Sequence, residues 1–195
     1  MRLRTLVLSL ALLAAGLPAA AQFYSDGSEP ASTRWWQITM PDYRVLYPEG
    51  LDSLARVYAD YLERVKIPVG ATAGYIPNQE FRRPLPVVLY PRTADANGMV
   101  AWTPRRMQLY TTPTFLAPEP TPWPVHLVTH ESRHVAQMQF VNAKPYRPYS
   151  WFVGELLGGA ISSIYCGSSF YEGDAVAAET ELTQVGRGRQ ASFLE

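Results

Sequence analysis

The segment His130-Glu131-Ser132-Arg133-His134 constrains its own backbone more than any other stretch of this chain. Two imidazoles four residues apart are close neighbours on one face of an α-helix, whereas a β-strand would hold them about 13 Å apart. On that face both rings can grip one metal ion, and Glu131 falls beside the coordination position they leave open. The flanking residues agree. Pro124 suits a first helical turn, and Val125, Val128, Val135 and Met138 recur at helical spacing up to about Phe140.

The plainer alternative is a buried amphipathic helix whose histidines only make hydrogen bonds. A lone histidine would favour that reading; a pair with a carboxylate between them favours the metal. His126 extends the series by one more step of four. Helix rise sets it about 12 Å along the axis from His134, too far for both to reach one ion with bonds of about 2 Å. It is therefore assigned a structural or supporting role.

The first residues read as an export signal. Arg2 and Arg4 form a basic start, Leu6 to Leu17 an apolar core, and Ala19-Ala20-Ala21 a small-residue cleavage site. Residues 1–21 are thus expected to be a signal peptide, and the product periplasmic or secreted. Their apolar run is shorter than the about 20 residues of a membrane span, and no later segment is long enough either. Removing them takes away two of 17 basic residues and none of 17 acidic ones. The resulting slight negative charge gives no reason to expect a nucleic-acid partner. Cys166 is the only cysteine, which excludes an internal disulfide and a cysteine-ligated zinc finger.

Residues 22–34 are small and polar and read as a flexible leader, and 35–195 as one domain. Trp35 to Thr39 and Tyr43 to Tyr47 resemble short strands, separated by Pro41-Asp42 and stopped by Pro48. Leu51, Leu54, Tyr58, Tyr61 and Val65 then recur at helical spacing, with Pro68 expected to close the helix. Pro86 to Tyr90, Met99 to Trp102 and Met107 to Thr111 are further strand candidates, and Asn97-Gly98 is a turn signal. A proline-rich connection from Pro113 to Pro124 leads into the motif helix. Strands, helix, strands, helix in this order imply an α+β fold, with a small mixed β-sheet packed beside long helices.

Catalytic zinc normally takes three protein ligands and leaves a fourth position for water, so two histidines need a partner. Cys166 lies in an apolar, glycine-flanked stretch and is expected to be a small buried side chain. Glu155 and Glu172 are the better candidates.

His130-Glu131-x-x-His134 followed by Glu172-Gly173-x-Ala175 and Glu179 resembles the gluzincin metallopeptidases. In their aminopeptidase branch a segment of this form supplies the third ligand through its first Glu. The resemblance implies Glu172 as that ligand and Glu179 as a supporting partner. It is closer still to large exported bacterial proteins described as putative peptidases, which carry H-E-x-R-H, E-G-D-A-V and G-R-G-R. All three occur here, at 130–134, 172–176 and 186–189. Those relatives continue well beyond G-R-G-R, so the domain is expected to be short at its C-terminal side. The gap from His134 to Glu172 exceeds that of thermolysin, whereas Glu155 lies near the customary separation, so Glu155 stays a rival ligand.

The expected activity follows. One zinc ion would lower the pKa of its water to about 7 and polarise a peptide carbonyl, with Glu131 as general base and a peptide or protein as substrate. Met107 to Thr111 is a candidate sheet edge for an extended peptide. Asp174 could orient a ligand histidine or favour the first turn of its own helix. Arg133, turned away from the histidines, is expected in a structural salt bridge. In the resembled families a Tyr or His beyond the third ligand stabilises the oxyanion, and none follows Glu172 here. Tyr165 or Tyr171 could replace it. The alternative is a truncated or noncatalytic metallopeptidase-like binding domain.

Overall fold

The computed structural model describes residues 29–74, 83–93, 96–102, 104–113, 121–142, 164–184 and 186–190, with isolated positions 148, 151, 154, 160 and 161. The expected signal peptide at 1–21, most of the expected leader, Glu155 and most of the stretch from Trp151 to Ser163 lie outside the described residues.

Among the described residues, eight elements and a short turn follow in order: β1 (Trp35–Thr39), β2 (Tyr43–Pro48), α1 (Asp52–Thr72), β3 (Leu85–Tyr90), β4 (Gly98–Trp102), β5 (Arg105–Tyr110), α2 (Trp123–Val141), α3 (Ser168–Leu182) and a 3-10 turn at Arg187–Arg189. The architecture is mixed α and β. The described strands form one five-stranded sheet in the order β1-β2-β3-β5-β4. β1 and β2 pair antiparallel, as do β4 and β5, while β2, β3 and β5 run parallel. Parallel neighbours cannot be joined by a tight turn, and α1 supplies the crossover between β2 and β3.

Alternation of side chains fills the core from one face of the sheet. Tyr43, Val45 and Tyr47 on β2, Leu85, Val87 and Leu89 on β3, and Met107 and Leu109 on β5 are all buried. Against them lie Tyr58 and Leu62 of α1 and Leu127, Val128 and Val135 of α2. The Trp123 indole donates from Nε1 to the Tyr110 carbonyl at 2.9 Å, which anchors the start of α2 to the end of β5. α2 in turn packs against α1, α3 and the edge strand β4. No helix among the described residues is long and apolar enough to cross a membrane.

Three expectations need correction. α1 does not stop at Pro68 but continues to Thr72. Proline removes one intrahelical hydrogen bond, yet Val69 and Gly70 are buried and Arg133 binds the Val69 carbonyl at 2.8 Å, so tertiary contacts hold the last turn in place. β5 is not an edge: it lies between β3 and β4, and the free edge nearest α2 is β4. Cys166 is exposed, not buried.

Candidate metal centre

α2 brings His130 and His134 together with ring centroids 4.7 Å apart and planes at 82°. Their Nε2 atoms face each other at 3.1 Å. From the facing helix α3, Glu172 sets Oε2 at 3.2 Å from His130 Nε2 and Oε1 at 3.5 Å from His134 Nε2. One donor atom from each residue lies within 4.8 Å of the others. His130 is buried and Glu172 stands at the rim with 61% of its side chain exposed.

Hydrogen bonding behind the rings decides where their protons sit. Gln137 Nε2 donates to Asp174 Oδ2 at 2.7 Å and to the Tyr171 carbonyl at 3.1 Å, both of which can only accept. Its amide oxygen must therefore be the atom 2.9 Å from His134 Nδ1. That oxygen cannot donate, so His134 carries its proton on Nδ1 and presents a lone pair at Nε2. Asp174 is itself gripped by Arg133 through two bonds of 2.7 Å, from Nε and Nη2. The Arg133 hydrogen bonds hold the Asp174 carboxyl below its ordinary pKa, against the opposing effect of burial.

His130 has a parallel arrangement. Its Nδ1 donates to Glu179 Oε1, a carboxylate with 1% of its side chain exposed. Arg187 clasps the same carboxylate, Nη2 to Oε1 at 2.6 Å and Nε to Oε2 at 2.9 Å. Burial alone would raise the Glu179 pKa, but the bonds from His130 and Arg187 outweigh it and hold the group at about 2. Reciprocally, burial works against a charged His130, while the Glu179 hydrogen bond raises its pKa. His126 lies 3.6 Å from Glu179 Oε2 and stacks on Trp123 at 5.5 Å, and its burial lowers its pKa to about 4. It does not join the three-residue cluster.

Glu131 is 3% exposed, and its Oε2 has no hydrogen-bond partner. Burial raises its pKa to about 7, with Glu172 and Glu179 adding to the effect and His130 and Arg187 opposing it. Across from it runs β4. A Cβ on Gly98 would stand 2.5 Å from Glu131 Oε1, so only glycine lets the edge strand pass this close. Between β4, α2 and α3 opens a cleft of about 340 Å³, lined by Gly98, Val100, His130, Glu131, Tyr171 and Glu172 among others.

The donor set fits a metal. Tetrahedral zinc with bonds of about 2.0–2.1 Å separates its ligand atoms by about 3.3 Å; the two Nε2 atoms are 3.1 Å apart, and each faces a different oxygen of Glu172, Oε2 at 3.2 Å from His130 and Oε1 at 3.5 Å from His134. Two imidazoles and a carboxylate are also a donor set that zinc accepts. Asp174 acts on His134 through Gln137 rather than directly, and Arg133 does form a salt bridge, with Asp174. Tyr165 is 90% exposed and does not line the cleft, whereas Tyr171 does. Two residues hydrogen-bonded into the cluster were not singled out by the sequence. Gln137 sits three residues after His134, a spacing that shares its face, and Arg187 belongs to the G-R-G-R segment, whose role only the fold explains. No protein-family model, curated protein or solved structure matches this chain.

Proposed function

We propose that the chain is an exported, gluzincin-like zinc metallopeptidase that hydrolyses peptide bonds, with His130, His134 and Glu172 holding one zinc ion. One observation carries the reading. Two Nε2 lone pairs and a carboxylate converge within 4.8 Å, and both ring protons are committed to the far side of the rings. Three such acceptors repel one another unless a metal ion or a proton lies between them, and a second proton on His130, whose pKa the Glu179 hydrogen bond raises against the effect of burial, is the metal's competitor for that position.

Zinc at such a site supplies Lewis acidity, polarising a substrate carbonyl and making water a nucleophile near neutral pH. The chain's own residues supply the rest. Glu131, with a free Oε2 and a pKa of about 7, accepts the proton of the attacking water and returns it to the leaving amine. The free edge of β4 offers backbone groups to an extended peptide or protein substrate, which would pass alongside Gly98 and Val100 into the cleft.

Elemental analysis of purified protein and its His130→Ala variant tests the metal, with one zinc expected in the first and little in the second. Equal zinc in both would sink the assignment. Incubating the zinc-loaded chain with a mixed peptide library, and reading new termini by mass spectrometry, tests the reaction. Zinc binding without cleavage would favour a noncatalytic metallopeptidase-like binding domain.

A further inference from the structure

The segment Gly186-Arg187-Gly188-Arg189 follows α3 and folds back against it. A Cβ on Gly186 would overlap the Thr180 backbone, so this approach is open to glycine alone. Gly188 donates its N–H to Thr180 Oγ1 at 3.1 Å, and a Cβ there would meet the same oxygen at 2.7 Å. Arg189 donates to the Thr183 and Gln184 carbonyls at 3.0 and 3.2 Å, tying the turn to the two residues that follow α3. Three of the four residues thus fasten the turn. The fourth, Arg187, reaches inward to the Glu179 carboxylate; its Nη2 also lies 2.7 Å from His130 Nδ1, but as both are donors toward the ionised Glu179 Oε1, the two share that acceptor and do not bond each other.

We propose that Arg187 is a positioning residue of the metal centre: by clasping Glu179 through two parallel hydrogen bonds, it fixes the orientation and tautomer of His130, so that Nε2 faces His134 and Glu172. The inference rests on reading His130 as a ligand. Its physical basis is the geometry of the clasp. A carboxylate held at both oxygens cannot rotate, and its Oε1 remains the acceptor for Nδ1–H. Partners behind ligand histidines are worth about 10- to 100-fold in metal affinity. Arg133, Asp174 and Gln137 do the equivalent for His134, so each imidazole is backed by its own arginine and carboxylate.

The test compares the full chain with Arg187→Gln, Arg187→Lys and Arg189→Gln. Zinc affinity is measured by chelator competition, and the ring nitrogens of the three histidines by NMR in metal-free protein. Arg187→Gln should weaken zinc about 10- to 100-fold and turn His130 into a mixture of tautomers. Arg187→Lys, which keeps the charge but not the paired geometry, should fall between it and the parent. Arg189→Gln should lower the melting temperature and leave both readouts unchanged. An Arg187→Gln protein with parental zinc affinity and a single Nδ1–H tautomer at His130 would overturn the proposal. If that variant does not fold by circular dichroism, parental values in Arg187→Lys overturn it equally. A parent chain that takes up no zinc would refute the metal reading instead, and the tautomer ratio would then decide the role of Arg187 by itself.

Discussion

Gly98 and Glu131 touch so closely that the edge strand and the motif helix share a surface no side chain could enter: a Cβ at position 98 would fall 2.5 Å from Oε1 and 2.7 Å from Cγ of Glu131. Gly98→Ala should therefore displace the carboxylate. Overpacking of this kind costs about 1–3 kcal/mol, and a side chain can swing aside more easily than backbone. The expected outcome is a folded protein with parental zinc content and most of its peptide cleavage lost, read by circular dichroism, elemental analysis and product mass spectrometry together. Unaltered cleavage would show that the position of Glu131 is immaterial.

Glu131→Gln should retain zinc and lose turnover, because the amide preserves the shape of the side chain but cannot accept the proton of water. It should also change the pH dependence of stability in metal-free protein. Burial raises the Glu131 pKa from 4.5 to about 7, so the folded chain holds that proton more tightly than the unfolded chain does. The associated stability is present below pH 4.5 and is lost as the pH rises through about 7, a change on the order of 3 kcal/mol. Urea unfolding of parent and variant at pH 5 and pH 8 isolates this contribution, since every other group titrates in both. The variant should gain on the parent at pH 8. Identical differences at the two pH values would rule it out.

Arg133 joins three helices, donating to Asp174 on α3 and to the Val69 carbonyl and Thr72 hydroxyl at the end of α1. Its side chain is 7% exposed and that of Asp174 27%. Arg133→Met should cost about 3 kcal/mol, the low end for a broken buried pair, because water can still reach Asp174. A denaturation midpoint close to the parent's would place the cohesion of the helices elsewhere.

His126 shares its helix with the two candidate ligands but lies outside their cluster, stacked on Trp123 and beside Glu179. His126→Ala should lower the melting temperature while zinc stoichiometry stays at one. Loss of the metal with a folded chain would make it a ligand after all.

The strands and the motif helix were legible because their signals are local. Alternation marked Tyr43, Val45 and Tyr47, and Pro41-Asp42 marked the break between β1 and β2, whereas Asn97-Gly98, expected as a turn, instead opens β4 with Gly98. Pro68 misled for the opposite reason: its helix is carried onward by Arg133, a residue 65 positions later in the sequence. The sheet order was equally nonlocal. Nothing in Met107 to Thr111 distinguishes an inner strand from an edge, and only the antiparallel return of β4 onto its outer side does so. Within the site, the helical spacing displayed His130, Glu131 and His134, and the Glu172–Glu179 interval of two turns placed both carboxylates on one face of α3. The link from His134 through Gln137 to Asp174 depends on how α2 meets α3, which no single segment encodes.

Three carboxylates that face or brace the imidazoles, Glu172, Asp174 and Glu179, belong to α3, whereas α2 contributes both rings. α3 buries only Ala175, Ala178 and Glu179, so its hold on the domain is more ionic than apolar. Synthesis from the N-terminus makes the sheet and both imidazoles before any of these carboxylates exists. On the proposed metal reading, a newborn chain would be a weak two-nitrogen chelator until α3 docks and adds its carboxylate. An ion so held would tie α3 to α2 against the thermal openings that would otherwise release it first, coupling metal uptake to the docking of this helix.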